Sequence, residues 1–161
     1  MDEIVSVQFT DDRSIVAVDA IGHIGIWRPH GQTFKFARDF WTTDGLTAAS
    51  VSQNGEALAL GDGWGKIHIY SVSSEKKISS LHAHVGGIHG LAWDIAGSRL
   101  ASAGADASAG VCSLKGLPPL ISPHGKLAPR VLLLQNIPGL GLFAARSSLG
   151  SVGLFSWRDG E

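Results

Sequence analysis

The sequence predicts an all-β fold made of four tandem antiparallel units, and three observations lead there. Short apolar stretches recur along the chain with a period of 42 or 43 residues. Within each period the stretches alternate with period 2 and are punctuated by Gly-, Asp- and Asn-containing turns, the pattern of half-buried strands. No window sustains an apolar period of 3.6 residues beyond about one turn, so essentially no helix is expected.

The first strand of each unit is carried by Val5-Ser6-Val7-Gln8-Phe9, Thr47-Ala48-Ala49-Ser50-Val51 and Gly90-Leu91-Ala92-Trp93, with Phe9, Val51 and Trp93 spaced by 42 and 42. A polar turn follows each, then an apolar pair: Val16-Ala17, Leu58-Ala59 and Leu100-Ala101. Third strands are expected at Ile24 to Trp27, Ile67 to Tyr70 and Ala109 to Cys112, where Trp27, Tyr70 and Cys112 are 43 and 42 apart. Outermost strands are expected at Thr33 to Phe36, Lys77 to Leu81 and Leu117 to Pro123. The three prolines of the last segment suit an edge, because proline cannot donate to a strand ladder. A weaker fourth unit runs through Val131 to Leu134, Leu142 to Ala145 and Val152 to Phe155. Four short strands in about 40 residues make a propeller blade. The chain thus reads as one repeat region, 1–161, with blades at approximately 4–38, 46–81, 88–123 and 130–157.

Composition narrows the function classes. Apolar residues make up 44% and charged residues 17% of the 161, with 21 glycines, which describes a folded, turn-rich domain. Thirteen basic against fourteen acidic side chains leave a net charge of −1, which argues against nucleic acid and acidic lipid as partners. The single cysteine, Cys112, cannot form an internal bridge. With no export signal in the acidic N-terminal stretch, an intracellular and by default cytoplasmic setting is expected. The most apolar stretch, Val131 to Ala145, is broken by Gln135, Asn136 and Pro138, so no membrane span is expected.

In the third unit Leu81-His82-Ala83-His84 precedes the inner strand, Trp93 ends that strand, and Ser98 to Ser108 follows it. With these residues the unit resembles the WD40 repeat family. The resemblance implies that His84 and Asp106, 22 residues apart, form a structural hydrogen-bonded pair, with Ser102 as an accompanying hydroxyl. Cys112 stands where the family has its terminal Trp and Ala83 where it has Gly. The other units lack the pair, the second holding Thr42 and Trp64 at the matching positions. Rings of this family commonly have about seven blades, so four imply an open arc or part of a larger ring. Its uncovered edges would associate with another chain or copy.

His82, His84 and His89 have no acidic or thiol ligand at metal spacing, and no metal or cofactor is expected. Gly61 to Lys66 resembles a phosphate loop, but a strand follows it where a helix N-terminus is needed. Cys112 lies in an apolar strand and reads as inert. No catalytic constellation is visible, and a propeller-type enzyme would need a carboxylate pair that the inner strands do not offer.

Trp41 and Trp64 are expected on loops at one end of the second blade, with Asp39, Asp44 and Asp62 around them as an acidic rim. One reading makes them anchors for a partner, most naturally a basic or Arg-containing segment. The other makes them buried packing that replaces the missing His–Asp bond. Solvent accessibility separates the two. The function expected is a non-catalytic protein-interaction scaffold; the alternative is a purely structural half-propeller that completes a ring with another chain or copy.

Overall fold

The structure, a computed structural model, describes residues 3–114, 131–137, 142–147 and 152–156. Among these residues there is no helix, and so none that is long and apolar enough to cross a membrane. The first sheet runs in chain order through β1 (Ile4–Phe9), β2 (Ile15–Asp19), β3 (His23–His30) and β4 (Thr33–Trp41). The second contains β5 (Leu46–Val51), β6 (Ala57–Asp62), β7 (Lys66–Ser71) and β8 (Lys77–His82). The third contains β9 (Ile88–Trp93), β10 (Arg99–Gly104) and β11 (Ala109–Ser113), and the fourth β12 (Val131–Ile137), β13 (Leu142–Ser147) and β14 (Val152–Ser156). Every pairing is antiparallel. The outermost strand expected at Leu117 to Pro123 lies outside the described residues.

The first strands gather at the centre: β1 lies against β5, β5 against β9 and β9 against β12. The molecule is therefore a four-bladed β-propeller arc. Two apolar layers hold the first three blades together. Val16, Val18, Ile24, Ile26 and Phe40 of the first sheet meet Ala49, Val51, Leu58, Leu60 and Tyr70 of the second. Ala48, Ala59, Ile67 and Ile69 on the far side of the second meet Ile88, Leu91, Trp93, Leu100 and Cys112 of the third. Each sheet thus has a face A toward the preceding blade and a face B toward the following one, as alternation along a strand requires. Gly61 marks a close approach of the second sheet to the third, since a β-carbon there would lie 2.6 Å from Cβ of Ile88.

Hydrogen bonds across the same layers repeat with the blade period. Oε1 of Gln8 accepts from the backbone N–H of Val51 at 2.8 Å, and the Trp93 indole donates to the carbonyl of Ser50 at 2.9 Å.

One expectation shifts by a residue. Phe9 pairs with Ile15, Val51 with Leu58 and Trp93 with Leu100, so Ile15-Val16, and not Val16-Ala17, corresponds to Leu58-Ala59 and Leu100-Ala101. The reason is the first turn: it closes from Thr10 to Ser14, whereas its counterparts close from Ser52 to Ala57 and from Asp94 to Arg99. A second difference is β4, which continues to Trp41. Asp39 and Trp41 therefore belong to the outermost strand of the first sheet and not to a loop of the second.

Candidate functional site

The hairpin turns joining second to third strands, and the connections between blades, lie at one end of the arc. There Thr42 donates its N–H to the carbonyl of Gly22 at 2.8 Å, and Ala83 its N–H to that of Gly65 at 2.9 Å. This end carries most of the polar side chains singled out from the sequence.

In the third blade the structure brings His84, Ser102 and Asp106 together. Nδ1 of His84 lies 3.0 Å from Oδ1 of Asp106, and Nε2 lies 2.9 Å from Oγ of Ser102. Ser108, not singled out in the sequence, joins them: its Oγ is 2.9 Å from Nδ1 of His84 and donates to Asp106 at 2.7 Å. Burial falls on the histidine, while Asp106 sits in the turn at the rim. Partial burial opposes ionisation of Asp106. The N–H of Val85, the hydroxyl and N–H of Ser108 and the imidazole outweigh it and hold the carboxyl down at about 2.

The order Ser–His–Asp and its distances match those of a hydrolytic triad. Accessibility decides the matter: Ser102 is only 5% exposed, on a strand face packed toward the second blade, where no substrate carbonyl could approach. The cluster closes a turn, which is what buried polar groups with satisfied partners do.

The first two blades close the same turn differently. Asp19 and Asp62 end β2 and β6, at the position that Gly104 holds in β10. Oδ1 of Asp19 accepts from the N–H of His23 at 2.8 Å; Oδ1 of Asp62 accepts from those of Trp64 and Lys66, each at 2.9 Å. Each acid also has a histidine. Nε2 of His68 is 3.0 Å from Asp62, and His23 lies near Asp19 and bonds Asp39 at 2.8 Å. The family spacing alone missed these pairs. The signal available was an Asp ending the second strand, four residues before Lys66 or His23.

Asp62 is thereby buried and committed, its carboxyl held below the usual range by the Lys66 N–H, His68 and the Trp64 N–H against the opposing effect of burial. It does not line a rim. The same bonds occupy amides of the Gly61 to Lys66 loop that a phosphate would need.

Trp41 and Trp64 are 63% and 66% exposed. The Trp41 ring stacks on His23 with centroids 4.7 Å apart, and the Trp64 ring rests over Gly45 so closely that a β-carbon there would lie 2.8 Å from Cζ3. Asp44 is exposed between them in sequence, and Asp39 is exposed while bonded to His23.

Among the described residues no group of three His, Cys, Asp or Glu is placed to hold a metal ion, and both ring nitrogens of His84 are engaged. Cys112 is buried, and burial pushes its thiol up to about 11.

No family model matches the chain. Eighty-six residues, 53% of the chain, are 33% identical to a WD repeat-containing protein of Schizosaccharomyces pombe, and the match spans 14% of that protein. Among solved structures, the computationally designed Ika4 protein superposes with a TM-score of 0.75 at 20% identity, covering 97% of this chain and 92% of that one. A chain from the crystal structure of the mitotic checkpoint complex superposes with a TM-score of 0.78 at 21% identity, covering 98% of this chain and 51% of that one. The chain spans about half of that propeller chain and a small part of the fission-yeast relative. Blade period and fold agree that this chain is an all-β repeat array folded as a β-propeller arc, and in sequence it is similar to a WD repeat-containing protein.

Proposed function

We propose that the chain is a non-catalytic interaction scaffold that binds a partner protein segment at the end of the arc carrying Trp41 and Trp64. The observation that supports this reading most is the exposure of both indoles, each nearly two-thirds open to solvent. Each is also braced from below, by His23 and by Gly45. A large side chain held in one place loses little entropy on binding and offers the apolar area that anchors an interface. Trp93, buried between blades, shows what filler looks like in this fold.

The exposure belongs to the loop end and not to an uncovered sheet. Trp64 lies in the second blade, covered on both sides, and His82, at the end of β8 as Trp41 is at the end of β4, is exposed as well. Asp39 and Asp44 give the surround a negative sign, which favours a basic or Arg-containing segment. The WD repeat relative and the multiprotein setting of the checkpoint-complex chain support a partner of protein nature.

Selection of a random peptide library on the immobilised chain tests this. Enriched peptides should carry Arg or Lys and should lose at least about tenfold in affinity for Trp41→Ala/Trp64→Ala, since a hot-spot aromatic contributes roughly 1.4 kcal/mol or more. Equal binding to the double variant would remove the proposal.

A further inference from the structure

The two ends of the arc expose opposite faces of the same design. On the first sheet, the pairings Val7 with Ala17, Phe9 with Ile15 and Ile15 with Trp27 put these side chains on face A. Their counterparts in the next blades are Ala49 and Leu91 for Val7, Val51 and Trp93 for Phe9, and Tyr70 and Cys112 for Trp27; all six are buried against a preceding blade. Val7 and Phe9 are instead 60% and 67% exposed. Aromatic rings extend this surface outward, with Phe34 set 6.1 Å from Phe9 and Phe36 set 5.8 Å from Trp27.

The fourth sheet shows the converse. Val152 pairs with Arg146 and Leu154 with Ala144, on the face that corresponds to Ile67 and Ile69 in the second blade. Those isoleucines are fully buried beneath face A of the third blade, yet Val152 and Leu154 are 66% and 62% exposed. Within these 161 residues, face A of the first sheet and face B of the fourth are thus both exposed. The internal layers make this kind of contact twice, with Gly61 of the second sheet in the slot that the exposed Arg146 holds in the fourth.

We infer that two copies of this chain join head to tail, the Val7–Phe9–Trp27 face of each seated on the Val152–Leu154 face of the other, closing an eight-bladed ring. Continuity with the internal layers selects this occupant. Each step from blade to blade is face A on face B, a heterologous contact that closes if the rotation allows. Two arcs of four reach eight blades, within the range of about four to eight that such rings adopt. Pairing A with A would join the aromatic faces but leave Val152 and Leu154 uncovered in both copies.

Sedimentation velocity on the purified chain tests the proposal, with the monomer at 16.9 kDa as reference. Wild type should run at twice that mass. Phe9→Arg and Leu154→Arg should each shift the population to monomer while keeping the wild-type far-ultraviolet circular dichroism, because both sites are solvent-exposed within one copy. An equimolar mixture of the two variants should recover dimer in part, one intact A-on-B contact being left. A monomeric wild type would overturn the inference. So would a dimer that Phe9→Arg breaks and Leu154→Arg leaves intact, or a mass that grows with concentration without limit. None of these readouts involves Trp41 or Trp64, so failure here and failure of the peptide-binding proposal are distinct.

Discussion

The imidazole of His84 occupies the space that a side chain on Gly104 would need: a β-carbon on Gly104 would lie 2.4 Å from Cγ of the ring. Blades one and two carry Asp19 and Asp62 at that strand position, and the histidines beside them, His23 and His68, come from the third strand and not from an inter-blade loop. The two ways of closing the turn exclude each other. Either the strand end supplies the carboxylate, or the inter-blade loop supplies an imidazole and the carboxylate moves two residues on, to Asp106, which accepts from Ser108 N–H at 3.1 Å.

Gly104→Ala should therefore destabilise the chain by about 1–3 kcal/mol through overpacking. His84→Ala should cost about 1–3 kcal/mol by leaving Ser102 and Asp106 without their shared partner. In the double variant the space is vacated and the partners are already lost, so the combined cost in urea denaturation should fall well below the sum. Additive costs would mean that the two positions do not compete.

Acid stability should follow Asp106. Its carboxyl is held at about 2 in the folded chain against an ordinary 3.8, so it contributes stability that is complete above the ordinary value and is lost as pH falls toward about 2. Asp12, Asp62 and Asp94 are lowered too and add to the loss in the same direction. Thermal melts of wild type and Asp106→Asn should differ at neutral pH and converge at the acid end. Curves that stay parallel throughout would contradict the assignment.

Two turns carry a side chain where their counterparts carry glycine. Ala107 has φ 61°, matching Gly22 at 84° and Gly65 at 88°, and Arg13 has φ 61°, matching Gly55 at 73° and Gly97 at 63°. A left-handed residue with a β-carbon costs about 1–2 kcal/mol, part of which glycine returns as chain entropy. Ala107→Gly and Arg13→Gly should each raise stability by about 0.5–1 kcal/mol in chemical denaturation. A lower midpoint for either would show that its side chain contributes more than its backbone costs.

Cys112 should be silent toward thiol reagents in the native chain near neutral pH, because it is buried and burial pushes its thiol up to about 11. One thiol should appear on denaturation. Rapid labelling of the native chain would instead indicate that the layer between the second and third blades opens.

The sequence already carried the blade plan, because period-2 alternation and turn residues are local and repeat. Trp27, Tyr70 and Cys112 sit in register just as their spacing of 43 and 42 implies. It did not carry the one-residue shortening of the first turn. Val16-Ala17 and Ile15-Val16 are equally apolar, and only pairing across the sheet tells them apart.

Chain chemistry by itself determined that this is an all-β repeat array, since period and turns are local; the His84–Asp106 pair was implied by the resemblance of the third unit to WD40 repeats, and the structure joins the two. Tertiary structure alone decided which side chains face the neighbouring blade and which face water. Asp62, drawn as rim, is withdrawn into its own turn, while Trp41 and Trp64 stand open. Phe9, in the same sequence slot as the buried Val51 and Trp93, lies bare. The physical reason is that burial belongs to the contact between sheets: identical strand positions are core or surface according to whether another blade covers them.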